Sequence, residues 1–205
     1  MPNTDYSNYL EKSIPIIGFD ENYKQKDTLA LFSIKIPSRL DTFYQWHNLS
    51  DCLPCGWLQY RFADSKYETF PESGFFWIDQ PDSVYQLTIR HKPKRWTADN
   101  IDLKPLSLKD SGMFFNYWFA NELYCKDVKY KEKAFLRIND RNFYVLQFTS
   151  SCGLVTDSPS LFVAAVTNLK NRQLEVIAEY SGKDTAGFFE LMHKSILSIR
   201  IKENP

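Results

Sequence analysis

Residues 134–200, AFLRINDRNFYVLQFTSSCGLVTDSPSLFVAAVTNLKNRQLEVIAEYSGKDTAGFFELMHKSILSIR, hold the pattern that decides the fold. Strand-like runs at 134–138 and 143–149 flank the polar turn Asn139-Asp140-Arg141-Asn142, and runs at 161–168 and 172–180 flank Leu169-Lys170-Asn171. Phe188, Leu191, Met192, Ser195, Ile196 and Ile199 then recur at helical spacing. Period two followed by period 3.6 reads as two β-hairpins and one amphipathic helix. The fold class that follows is α+β: an antiparallel sheet of meandering hairpins with a C-terminal helix packed on one face.

Outward from this core, 28–37 (TLALFSIKIP) alternates as a strand that Pro37 ends. Asp41 is placed to cap a short helix over 42–49, with Phe43 and Trp46 at i and i+3. In 56–63 (GWLQYRFA), Trp57, Gln59 and Arg61 alternate with Leu58, Tyr60 and Phe62, a strand pattern. Residues 75–78 and 83–91 read as a strand pair around Asp79-Gln80-Pro81-Asp82. Residues 92–112, rich in Pro, Lys, Asp and Ser, read as a connection of a length that is often functional. The aromatic segment 113–125 (MFFNYWFANELYC) reads as a helix capped by Ser111. It stacks Phe115, Trp118, Phe119 and Glu122 on one side, and Met113, Tyr117, Ala120 and Tyr124 on another. Residues 1–27 are polar apart from Ile14-Pro15-Ile16-Ile17 and read as an N-terminal arm docking on a single domain, 28–205.

At 205 residues the chain fits one domain that buries roughly 70% of its unfolded surface, so neither a metal nor a disulfide is required for stability. With 16 Phe, 12 Tyr and 5 Trp the aromatic load is high, which fits a large sheet core and also suits an interface. Lys+Arg and Asp+Glu both total 25, so wholesale attraction to nucleic acid or to an anionic membrane is unsupported. No apolar run of about 18 residues is present, and membrane insertion is not expected. The opening MPNTDYSNYLEKS lacks a basic-then-apolar layout. The chain as written therefore reads as cytoplasmic, or as periplasmic if a leader has been removed from it.

Cys52-Leu53-Pro54-Cys55 is the sharpest local motif. A redox pair wants a helix after the first Cys, but Gly56-Trp57 open a strand. A zinc site wants two more ligands. His47 lies five residues upstream, and Cys125, Cys152, His91 or His193 would have to complete the set without a second CxxC or an HxxxH. Cys52 and Cys55 thus stand as disulfide or metal candidates beside the simpler reading of an ordinary turn. The run Arg90-His91-Lys92-Pro93-Lys94-Arg95-Trp96 suits an acidic protein surface with Trp96 stacking, or a strand end passing into a solvated loop. Ser151-Cys152-Gly153 lacks the GxSxG pattern. Gly182-Lys183-Asp184-Thr185 has Ile177 where a phosphate loop needs glycine, and is better read as a hairpin exit with Asp184 capping the helix. No catalytic residue set and no cofactor is expected, and His193, one position from the apolar stripe, reads as a flanking surface residue.

The runs SLFVAAVT (160–167), QLEVIAEY (173–180) and FFELMHKSILSIRI (188–201), with Leu197-Ser198-Ile199-Arg200 closing the helix, resemble the C-terminal half of PsbP-like domains. The resemblance covers about a third of the chain. It implies a PsbP-like sandwich and a non-enzymatic binding module. The group spans photosystem subunits, bacterial envelope lipoproteins, a Ran-binding protein and Eag-type secretion chaperones. It shares no catalytic set, so no residue role is carried over. The expected function is a bacterial accessory protein of adaptor, chaperone or immunity type that covers a partner protein. The residues expected to make the contact are Arg90, Lys92, Lys94, Arg95 and Trp96, with Tyr117 and Trp118. The alternatives are a thiol or zinc protein centred on Cys52 and Cys55, and a domain that binds a small apolar ligand on its aromatic sheet face.

Overall fold

The hairpins form where the alternation places them. Strand β1 is Tyr9–Phe19, β2 Gln25–Pro37, β3 Thr42–Asn48, β4 Trp57–Ala63, β5 Val84–Pro93, β6 Lys129–Ile138, β7 Arg141–Ser150, β8 Ser160–Leu169 and β9 Arg172–Ser181. Helix α1, Phe188–Leu197, and β10, Arg200–Glu203, complete the order. The computed structural model describes residues 5–19, 25–48, 57–67, 84–93, 127–151, 159–170, 172–182 and 186–204. The fold is α+β: a seven-stranded antiparallel sheet ordered β3-β4-β5-β9-β8-β7-β6, and a three-stranded sheet ordered β1-β2-β10. The β6–β7 and β8–β9 turns place Asn139 and Lys170 at φ 52° and 53°, the left-handed region that Asn adopts more readily than most residues.

One core joins both sheets to the helix. Val163 and Ala165 of β8, Val176 and Ala178 of β9, Phe32 and Ile34 of β2, and Phe188, Met192 and Ile196 of α1 all belong to it. The three-stranded sheet lies over β4, where the Tyr60 hydroxyl donates to the Pro15 carbonyl at 2.5 Å, and α1 lies over β8 and β9. The helix is tied down at its carbonyl end. Tyr9 Oη donates to Leu191 O at 3.1 Å and Tyr6 Oη to Lys194 O at 3.3 Å. Ser198 Oγ accepts from the Lys35 amide at 2.8 Å and donates to Ser195 O at 2.6 Å. The N-cap position is Gly187, at φ 74°, with no side-chain cap bond. Asp184, expected to cap the helix, lies outside the described residues.

Three expectations change. Residues 42–48 form a strand, not a helix. Their aromatic-rich sequence finds a backbone partner in β4, and Phe43 sits opposite Phe62 with ring centroids 5.1 Å apart. Asp41 caps no helix there. It accepts from the Ser65 amide at 2.9 Å and the Ser65 hydroxyl at 2.8 Å, and these bonds hold its carboxyl below the usual range. Second, the segment expected as an arm contains β1, because Ile14 and Ile16 point into the core opposite Phe32 and Ala30. Third, β5 runs on through Lys92 and Pro93, which pair with Gln173 and Arg172 of β9. The expected strand at 75–78, residues 94–112 of the long connection and the helix at 113–125 lie outside the described residues.

Deleting the Met192 side chain, which is wholly buried, removes transfer energy and leaves a cavity. Met192→Ala should cost about 2–5 kcal/mol in urea unfolding. Leu197→Ala on the same helix, at 43% exposure, should cost under about 1 kcal/mol.

Burial raises the hydroxyl pKa of Tyr9, Tyr60, Tyr85 and Tyr130 from 10.0 to about 12. The folded chain therefore holds these protons more tightly than the unfolded chain. Their contribution to stability is complete below pH 10 and is lost as pH rises toward about 12. Tyrosinate absorbance and unfolding should rise together across that window, and early titration of all tyrosines in the folded protein would contradict the burial.

Candidate functional site

The polar residues of β4, β5 and β9 gather on the sheet face turned away from α1. Alternation sends Leu58, Tyr60, Phe62, Leu87, Ile89, Leu174 and Val176 into the shared core and leaves Gln59, Arg61, Gln86, Thr88, Arg90, Gln173, Glu175 and Glu179 on the opposite side. The register puts Gln59 opposite Arg90 and Arg61 opposite Thr88, and then Arg90 opposite Glu175 and Gln86 opposite Glu179. Arg90 Nε meets Glu175 Oε2 at 2.5 Å, while Gln173 Nε2 donates to Glu175 Oε1 at 2.5 Å. Gln86 Nε2 donates to Glu179 Oε2 at 2.9 Å, and Arg61 Nε donates to Thr88 Oγ1 at 3.0 Å. Glu175 is fully buried, and the Arg90 side chain is 16% exposed. Arg90 Nη2 is buried with no hydrogen-bond partner among the described residues.

This face changes character between β9 and β8. Glu179 sits opposite Phe162, Ile177 opposite Ala164 and Glu175 opposite Val166. Beyond them Phe162 stacks on Phe148 at 4.8 Å, and Leu146, Tyr144 and Val166 complete a second apolar cluster. A charged strip thus abuts an apolar one on a single sheet surface. Removing two charges from water costs several kcal/mol each, and the bonds within the strip offset that cost.

Two further clusters flank the helix. Arg39 Nε meets the buried Asp64 carboxylate at 2.7 Å, and its guanidinium lies 4.1 Å over the Tyr85 ring. Tyr85 makes an edge contact with Tyr180 at 5.2 Å, and its buried hydroxyl has no hydrogen-bond partner among the described residues. On the other flank, the Gln147 amide donates to Glu132 Oε2 and to His193 Nδ1, the latter at 3.1 Å. Glu132 Oε2 also lies 3.9 Å from His193 Nδ1 directly.

The expected site residues separate accordingly. Arg90 has an internal partner and holds β5 to β9. Lys92 is placed in β5 opposite Gln173. Lys94, Arg95, Trp96, Tyr117, Trp118, Cys52 and Cys55 lie outside the described residues. His193 stands on the flank of the helix with its side chain 27% exposed. His91 is buried with Nε2 donating to Leu169 O at 3.2 Å, which sets its tautomer. Among the described residues no three His, Cys, Asp or Glu side chains group to hold a metal. No helix of the described residues is long and apolar enough to cross a membrane. The buried strip was missed because Arg90 reads as one end of a basic run. The one local hint was the alternation of polar with apolar residues in both YQLTIRH and QLEVIAEY.

No protein-family model matches the chain, and no curated protein matches it. Among solved structures the chain is similar to the solution structure of cyanobacterial PsbP (CyanoP) from Synechocystis sp. PCC 6803. Identity is 10% and the TM-score is 0.48, over 83% of this chain and 86% of that chain. At this identity the likeness transfers no residue role.

Arg90→Ala strands the Glu175 carboxylate in the interior and should cost about 3–5 kcal/mol. Replacing both partners by apolar residues, Arg90→Met with Glu175→Leu, should recover most of that loss in urea unfolding. A single variant of native stability would show that the pair does not hold the strands.

Proposed function

We propose that the protein is a non-catalytic protein-binding domain, an accessory protein of adaptor, chaperone or immunity type that acts by covering a partner's surface. The observation that carries this reading is Phe43. The residue stands 48% exposed on β3, yet its ring stacks on Tyr60 at 6.3 Å and packs at a tilt against Phe62 at 5.1 Å. An exposed aromatic continuous with the core is a rigid anchor that loses little entropy on docking. Lys12 lies 6.0 Å over the Phe62 ring and adds a cation beside it.

The use of charge supports the same reading. Glu175, Glu179 and Asp64 are bound to Arg90, Gln86 and Arg39, so these acids serve the fold rather than a reacting substrate. The basic run that leaves β5 supplies Lys94, Arg95 and Trp96 as further contacts suited to an acidic partner, and Tyr117 and Trp118 extend the aromatic supply. Arg90 acts by holding the strand from which that run departs.

Native mass spectrometry of the protein purified from its host without reductant or chelator tests this directly. A second polypeptide at fixed stoichiometry is expected. Its affinity should fall by about 2 kcal/mol or more for Phe43→Asp and for at least one of Arg95→Ala and Trp96→Ala. Unchanged affinity in all three variants removes these surfaces from the site. A bare monomer carrying zinc, with Cys52 and Cys55 as its ligands, would replace the proposal with the metal reading.

A further inference from the structure

Among the described residues the two sheets end in four edge strands: β3 and β6 on the large sheet, β1 and β10 on the small one. An edge strand turns alternate backbone N–H and C=O groups outward, where they can pair with a further strand. Three of the four carry a guard against such pairing. Strand β6 exposes Lys129, Lys131 and Lys133, and its register shifts between Tyr130 and Glu132. Strand β1 contains Pro15, whose carbonyl already accepts from the Tyr60 hydroxyl, and its register shifts twice between Ile16 and Phe19. Strand β10 spans only Arg200–Glu203, and three of those four residues are charged.

Strand β3 carries none of these devices. Its sequence, TFYQWHN, holds no Asp, Glu, Lys, Arg or Pro. Its ladder to β4 runs without a register shift from Thr42 opposite Ala63 to Asn48 opposite Trp57. Phe43 and Gln45 on it are exposed. A regular, uncharged edge of this kind recruits another strand. Self-pairing meets no electrostatic penalty here. A two-fold axis through Gln45 overlaps the whole strand in an antiparallel pair, setting Gln45 opposite Gln45, Tyr44 opposite Trp46 and Phe43 opposite His47. No like charges meet across that axis, whereas a symmetric β6 pair would bring the lysines of both copies onto one seam. The chain's formal net charge of zero adds no long-range repulsion between copies.

We infer that the free edge of β3 pairs with β3 of a second copy, joining the two large sheets into one across a two-fold axis. The occupant is this chain itself, because symmetry matches the edge to itself in length, charge and register. The pairing uses backbone groups, while the protein-binding reading uses side chains and a different polypeptide, so neither rests on the other.

The test is sedimentation velocity of the full chain from about 1 μM to about 100 μM. A reversible monomer–dimer equilibrium is expected, and amide hydrogen exchange in residues 42–48 should slow as concentration rises. Gln45→Lys sets like charges at the two-fold axis and should weaken the dimer by roughly fivefold at an unchanged unfolding midpoint. Gln45→Glu should do the same, and an equimolar mixture of the two variants should recover at least the native affinity. If Gln45→Lys disturbs the fold, Gln45→Glu and exchange on the unaltered chain decide the question. A monomer across the whole range would overturn the inference, as would a dimer whose 42–48 amides exchange at the monomer's rate. Protection of 42–48 only in a complex with a different polypeptide would assign the edge to that partner and overturn it too.

Discussion

Strands β8 and β9 are buried on both faces, and the rest of the structure follows from that constraint. Leu161 through Thr167 of β8 and Gln173 through Ser181 of β9 are buried without interruption. A strand with no solvent side must be covered twice. The inner cover is assembled from pieces far apart in the chain: α1 over β8 and β9, and the small sheet over β4. Ser198 joins the two by bonding Lys35 of β2 and Ser195 of the helix. Without that junction the helix and the small sheet would each expose apolar surface.

The outer face meets the same constraint with different chemistry. Over β8 and β7 it is filled by Phe162, Phe148, Leu146 and Val166, where dispersion and the hydrophobic effect suffice. Over β4, β5 and β9 it holds two arginines and two glutamates: Arg90 pairs with Glu175, Arg61 donates to Thr88, and Glu179 accepts from Gln86. Such a strip adds little net stability compared with an apolar one of equal volume, but it penalises any slip in register. A one-residue shift of β5 would place Arg90 in the apolar core and leave Glu175 alone. The charges on this face thus act as a check on strand order.

The outer margins of the large sheet differ from its interior. At one margin the edge strand β3 exposes Phe43. The β6 edge is different. Lys129, Lys131 and Lys133 are exposed along it, a charge pattern that discourages pairing with another chain's strand.

Local periodicity was enough to read β6, β7, β8, β9 and α1, because each hairpin partner lies a few residues away and the alternation repeats on both arms. The same reasoning failed at 42–48, where Phe43 and Trp46 at i and i+3 suggested a helix. There the deciding partner was β4, reached through a chain reversal that periodicity does not encode. Residues 9–19 read as part of an arm because their alternation is diluted by Lys, Glu and Ser, and only docking against Phe32 and Ala30 makes them a strand. Arg90 read as a surface cation, although its partner Glu175 lies 85 positions away. The sequence by itself determined the class of fold, since the spacing of apolar residues is a local property of the chain. Which charges are buried and which aromatic stays exposed were decided only by tertiary packing, because each depends on residues that the chain brings together from a distance.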